Sequence, residues 1–309
     1  MIVWVPFPDA DEVLAPVPVG VEVLVWEGGE QVPGAAADVE VLVTPYPGIG
    51  RTVDLLPDMT KLRVLQVLTA GYDHVAPHVP PGVVLCNASG VHDASTAELA
   101  VGLTIASLRG IPGFVRAQDQ AVWAFAERPA LADKRVLIIG AGGIAQAMVR
   151  RFAPFEVEVS LVGRTARDGV HSVAELPDLL PYADVVVLAL PLSADSRGLV
   201  DARFLAQLPD GALVVNVARG PIVDTAALLA ELESGRLVAA LDVTDPEPLP
   251  PDHPLWRAPN VLIVPHVGGA SSAFHPRAYA LVSRMLSAVS AGKDPPNIVH
   301  APSPSPYPR

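Results

Sequence analysis

Two sets of short, β-branched apolar runs, each alternating with helical stretches, constrain this chain more than any other feature. The first set lies at residues 2–5, 21–26, 39–43, 64–67 and 83–86, and the second at 136–139, 157–162, 185–190, 213–217, 237–241 and 261–264. Strand-like runs separated by helical lengths predict parallel α/β sheets, and runs apolar at nearly every position predict strands buried on both faces. Between the sets, Ser95 and Glu98 are spaced as a capping box ahead of the apolar stretch 99–108, which predicts a long helix starting at Ser95. At 309 residues the chain is long for one compact core and suited to two, with a cleft. The expected architecture is α/β, with two doubly wound parallel-sheet domains. Residues 1–94 form the first domain and 275–309 complete it, while residues 95–274 form a central one. A helix over about 271–291 is expected to carry the chain back, and the Pro-rich tail from Pro295 is expected to be loose.

Composition narrows the class of partner. Half of the residues are hydrophobic and 17% are charged, enough apolar material for two cores. The formal net charge is −12 and no Lys/Arg run lays a basic stripe, so neither nucleic acid nor a membrane surface is an expected partner. The start has no basic segment and is interrupted by Pro6 and Pro8, unlike a signal peptide, and no apolar run reaches the roughly 18 residues of a membrane span. A single cysteine, Cys86 in an apolar run, excludes an intrachain disulfide and reads as buried and inert. A cytoplasmic location is expected.

The run 136–139 leads directly into Gly140, Ala141, Gly142, Gly143, Ile144 and Ala145, followed by a helical stretch 146–152. Such a turn lets a pyrophosphate approach a helix N-terminus, where free N–H groups and the helix dipole favour anions. After the next strand, the position where an acid usually takes the ribose 2′-hydroxyl is held by Gly163 and Arg164, with Arg167 close behind. Guanidinium groups there suit a 2′-phosphate, so the expected cofactor is NADP(H) in preference to NAD(H). Solvated surface arginines are the alternative.

Ligands of such sheets bind beyond the carboxyl ends of the strands. Run 213–217 is followed by Ala218 and Arg219, run 237–241 by Asp242, and run 261–264 by His266 and Gly268. A cation, a carboxylate and an imidazole therefore share the edge that holds Gly140. These types suit hydride transfer at a carbonyl beside a carboxylate: Arg219 holds the carboxylate and polarises the carbonyl, and His266 exchanges the proton. Glu247 would orient the imidazole, or be a surface residue of the Pro-rich loop 245–251; the residues alone leave both open.

At these positions the sequence resembles the D-isomer-specific 2-hydroxyacid dehydrogenases, and among them the glyoxylate and hydroxypyruvate reductases. The resemblance runs through QVLTAGYDHV (66–75), STAELA (95–100), the Gly140 turn, Pro191 and Leu192, VNVARGPIVD (215–224), LDVTDPEPLP (241–250) and VPHVGG (264–269). It implies a central Rossmann-type dinucleotide-binding domain inserted in a flavodoxin-like substrate domain, and a homodimer. It also implies a catalytic triad of Arg219, Glu247 and His266, acting on a small 2-oxo or 2-hydroxy acid. Asp242 would hold the nicotinamide carboxamide, Thr96 would touch the nicotinamide side, Pro191 would line the cofactor site, and the backbone of Ala70 and Gly71 would cradle the substrate carboxylate. A corepressor-like nucleotide sensor on this fold is an alternative, as is a phosphite or formate dehydrogenase; the formate enzymes place Gln at the position of Glu247.

Other polar residues are weaker candidates. His74, His78 and His92 follow no ligand spacing, so no metal is expected and they read as loop histidines. His253 reads as a surface residue or a neighbour of the site. Tyr46 and Tyr72 either line a substrate pocket or pack.

Overall fold

The computed structural model describes residues 1–300, which divide into two compact units, Met1–His92 with the segment from Ser272 onward, and Asp93–Ser271. The first unit contains β1 (Ile2–Val5), β2 (Glu22–Val25), β3 (Val39–Val43), β4 (Val64–Gln66) and β5 (Val84–Cys86). The second contains β6 (Arg135–Ile139), β7 (Glu158–Gly163), β8 (His171–Ser172), β9 (Val185–Leu188), β10 (Leu213–Asn216), β11 (Val238–Leu241) and β12 (Val261–Ile263). β13 (Ile298–His300) returns to the first.

The first sheet runs β13-β5-β4-β3-β1-β2 and is parallel except for β13, which pairs antiparallel with β5. Successive side chains of its strands supply two cores. Val3, Val5, Val41, Val43, Val64, Val84 and Cys86 face the helix Phe274–Ser290, whose Leu281, Val282 and Met285 are fully buried. Trp4, Leu42, Leu65 and Leu85 face the other way, against Trp26 and Met59. This period of two with both faces covered is why the strands read as continuous apolar runs. Cys86 lies inside this sheet, and burial pushes its thiol up to about 12, which makes it inert.

The second sheet runs β12-β11-β10-β9-β6-β7-β8, all parallel, with its strand order reversing between β6 and β9. Leu137, Ile139, Val186, Leu188 and Val214 face Phe204 and Leu228 on one side. Val136, Ile138, Val185, Val187 and Val215 face the helices Asp93–Leu108 and Gly143–Phe152 through Ala97, Ala100, Met148 and Phe152 on the other. No single helix among the described residues is long and apolar enough to cross a membrane.

Two local expectations need correction. The crossing helix begins at Asp93, not Ser95, so the expected capping pair lies inside it: Ser95 is buried with its hydroxyl 2.5 Å from that of Ser271, and Glu98 is exposed. Tertiary contact has displaced a local cap. The tail expected to be loose from Pro295 includes β13; residues 301–309 lie outside the described residues. His92 lies in the loop before the crossing helix, as expected, and is buried there, with Nε2 at 2.7 Å from the Leu68 carbonyl and its ring packed beside those of Tyr46 and Phe274. Tyr46 in turn stacks on Phe274 at 4.2 Å.

Candidate active site

The reversal of strand order beside β6 is where a doubly wound sheet opens a crevice at its carboxyl edge. Gly140 leaves β6 there with φ +134, and a methyl group on it would overlap the Ala189 carbonyl. Glycine is required by this close approach, which seats the turn on the strand end after β9. Gly142 is different: nothing lies within 4 Å of the place a Cβ would take, so the turn is open above the start of helix Gly143–Phe152. Ile144 is half-buried in its first turn. An open glycine turn leading into a helix N-terminus fits the phosphates of a dinucleotide.

A pocket of about 450 Å³ continues from this turn. Gly140, Gly142, Gly163, Arg164, Arg167 and Pro191 all line it. Arg167 donates from Nη2 to the Ala141 carbonyl at 3.3 Å, and both arginines are exposed on the pocket rim. Asp195 is the one carboxylate among the lining residues.

Three neighbouring strand ends carry the remaining polar groups. After β10, the side chain of buried Asn216 donates to the Arg219 carbonyl at 3.0 Å and accepts from the Ala218 N–H at 3.0 Å, shaping the turn that presents Arg219. The guanidinium of Arg219 donates to the Ala218 carbonyl at 2.8 Å. After β11 comes Asp242, and after β12 comes His266, a non-glycine residue held at φ +51. The conformation is held on three sides by Asp242. Its carbonyl accepts from the His266 N–H at 2.8 Å, and its carboxylate oxygens accept from the Val267 and Gly268 N–H groups at 2.7 and 3.0 Å. A carboxyl at this depth is costly to ionise, and burial raises its pKa despite those two N–H donors and the attraction of His266. Thr96 closes the group by donating to the Gly268 carbonyl at 3.2 Å.

Glu247 reaches this turn from the loop after β11: its Oε1 lies 2.5 Å from Nδ1 of His266, with both side chains partly exposed. The carboxylate fixes Nδ1 as the donor of the pair and leaves Nε2 directed elsewhere. Gly220 places the Arg219 turn against the same loop, since a methyl group on Gly220 would overlap the Thr244 carbonyl. Arg219, Asp242, Glu247 and His266 thus stand on three adjacent strand ends. Sequence reading missed Asn216 and Gly220. Asn216 stands out as a polar residue ending an apolar strand, but nothing local reveals the partner of Gly220.

Ala70 and Gly71 belong to the first unit, after β4. Their carbonyls accept from Asn87 Nδ2 at 2.7 Å and Thr69 Oγ1 at 2.6 Å. Neither N–H donates to another group among the described residues.

A parallel sheet with an open glycine turn at its reversal point, and an imidazole–carboxylate pair and an arginine on the same edge, defines a dinucleotide-dependent dehydrogenase. Residues 101–268 match the NAD binding domain of the D-isomer specific 2-hydroxyacid dehydrogenases. The glyoxylate reductase of Thermofilum pendens is 32% identical over 256 residues, covering 77% of this chain and 75% of that one. The chain belongs to the D-isomer-specific 2-hydroxyacid dehydrogenase family, and is an oxidoreductase. Two solved structures are similar over nearly the whole length. A D-isomer specific 2-hydroxyacid dehydrogenase from Xanthobacter autotrophicus Py2, in complex with NADPH and MES, is 30% identical with a TM-score of 0.80, covering 97% of each chain. The NADPH-dependent glyoxylate/hydroxypyruvate reductase of Sinorhizobium meliloti, in complex with NADP and sulfate, is 26% identical with a TM-score of 0.78, covering 96% of this chain and 97% of that one.

Proposed function

We propose that this protein reduces a small 2-oxo acid of the glyoxylate or hydroxypyruvate kind to the D-2-hydroxy acid, with NADPH as the preferred reductant. The observation that carries the reading is the His266–Glu247 pair, on the sheet edge that also bears Arg219 and the open glycine turn. A nicotinamide held at this edge would supply the hydride for the carbonyl carbon. His266 gives a proton to the carbonyl oxygen, completing the hydroxyl, and recovers its proton from water; in oxidation both transfers reverse. Glu247 orients the ring through Nδ1, while Arg219 polarises the carbonyl and pairs with the carboxylate. Within the first unit, the N–H groups of Ala70 and Gly71 donate to no other group among the described residues and are suited to donate to a carboxylate. Asp242, Thr96 and Gly268 form the nicotinamide end of the cofactor site, and Ala218 borders it. The test is a panel of glyoxylate, hydroxypyruvate, pyruvate and bulkier 2-oxo acids with NADPH and NADH. Turnover of none of them, with NADPH still bound, would overturn the reading in favour of a nucleotide-sensing role.

The cofactor preference rests on Arg164 and Arg167 at the rim of the pocket. Replacing both with Ala is expected to raise KM for NADPH by about tenfold to a hundredfold, as for loss of charge-assisted phosphate contacts, and to change KM for NADH little. Equal effects on the two cofactors would refute the assignment.

We propose also that the protein is a homodimer through residues 111–130. The helix Ile111–Asp119 has no buried residue, and residues 121–130 are all exposed, with Trp123 and Phe125 at 95% and 89% of full exposure. A helix of this length is marginal in water without tertiary packing, and such an apolar surface marks an association site. The double variant Trp123→Ser/Phe125→Ser should sediment as a monomer where the parent sediments as a dimer; a monomeric parent would dismiss the proposal.

A further inference from the structure

The crossing helix brings an acid to a place built for anions. Asp93, its first residue, is half-buried and lies over Gly143, the first residue of the helix Gly143–Phe152. A methyl group on Gly143 would overlap Asp93 Oδ2 and sit 2.9 Å from Cγ and 3.2 Å from Oδ1. The space that a side chain at position 143 would fill is therefore taken by a carboxylate from another element. The Asp93 carboxylate makes no hydrogen bond or ion pair among the described residues, and Gly142, the N-cap, offers no side-chain acceptor. The positive end of the helix dipole is the favourable field beside this charge. Arginine or lysine would be the ordinary choice beside a phosphate seat, because opposite charge strengthens the hold. This chain has the opposite sign there.

We propose that Asp93 is an electrostatic counterweight to the cofactor: its carboxylate shares the N-terminus of helix Gly143–Phe152 with the dinucleotide pyrophosphate, and so loosens the grip on the cofactor and speeds its release. Each reaction cycle ends with exchange of the oxidised for the reduced cofactor, and release limits the turnover of many enzymes of this kind. A like charge at the phosphate seat lowers the affinity for both forms without touching the atoms that react. Gly143 belongs to the same device, since any larger residue would push the carboxylate away.

The inference rests on Gly140–Gly143 being the pyrophosphate seat, so the experiment carries a separate test of that reading. Gly142 has φ −86 and open space around it, so Gly142→Glu should leave the melting temperature of the cofactor-free protein unchanged. It should also abolish NADPH binding. Asp93→Asn keeps the shape and removes the charge. It should bind NADPH on the order of tenfold more tightly, with slower dissociation in stopped flow. Adenosine 2′-monophosphate, which has no phosphate to place at the turn, should bind both proteins equally. Asp93→Ser should repeat the result should the Asn variant fold poorly. Unchanged or weaker NADPH binding by Asp93→Asn, with Gly142→Glu inactive in binding, overturns the Asp93 proposal alone. An equal gain for adenosine 2′-monophosphate overturns it too. Normal NADPH binding by Gly142→Glu overturns the seat itself.

Discussion

His266→Asn should lower kcat for glyoxylate reduction by about 10²- to 10⁴-fold, the range that a positioned general acid contributes, while Kd for NADPH stays close to that of the parent. Asn fills much of the ring's volume and keeps a polar group towards Glu247, but it cannot deliver a proton at neutral pH. The turn itself should survive the change. It is held by the main chain of residues 266–268 donating to Asp242, not by the imidazole, and Asn tolerates φ near +51 better than most residues. Steady-state rates at saturating NADPH, with NADPH binding measured in parallel, would check this. A kcat within tenfold of the parent would remove His266 from the role of proton donor.

Gly220→Ala is expected to be the most damaging single-methyl change in the second unit. The added carbon would overlap the Thr244 carbonyl carbon and oxygen, and these are backbone atoms that cannot rotate aside. Overpacking of this kind costs about 3 kcal/mol or more, a fall in Tm of roughly 6–12 °C for a unit of this size. The damage should not stop at stability. Gly220 follows Arg219 directly, and Thr244 opens the loop that delivers Glu247, so relief of the clash separates the two halves of the site. Loss of kcat/KM by more than tenfold at a temperature where the variant is folded would report that separation; a variant with parent-like Tm and kcat/KM would show that the two turns are not pressed together. Thr225 adds to the contact, donating its hydroxyl to the Asp245 carbonyl at 2.9 Å.

The parts of this protein that the sequence made legible are those set by local periodicity. β1 and β3 match their apolar runs residue for residue, and the other strands of the two sets differ from theirs by one or two residues at the ends. Buried parallel strands advertise themselves because both faces must be apolar. Arg219, Asp242 and His266 were legible for a related reason: a polar residue directly after such a strand lies at a known edge. Glu247 was not, because its loop is Pro-rich and irregular, and only the fold brings it to Nδ1 of His266. What stayed hidden depended on contacts between distant segments. Ser95 has every local mark of a helix cap, yet its hydroxyl is used by Ser271. β8 has two residues, too few for a period to appear, and β13 lies in the Pro-rich tail just after Pro295 and Pro296. The helix Ile111–Asp119 follows a break at Gly110, φ +65, and buries nothing, so the burial pattern that marks other helices is absent from it.

The helix Phe274–Ser290 belongs to the core of a unit whose first strand is residues 2–5. Synthesis proceeds from the amino end, so β1 to β5 leave the ribosome with one apolar face uncovered. Residues 93–271 are contiguous and can close their own core as soon as they emerge, whereas the first unit must wait for the closing helix. The domain made first is therefore the last one finished. For that interval, the Val3, Val41, Val64 and Val84 face lacks the cover that buries it in the folded protein.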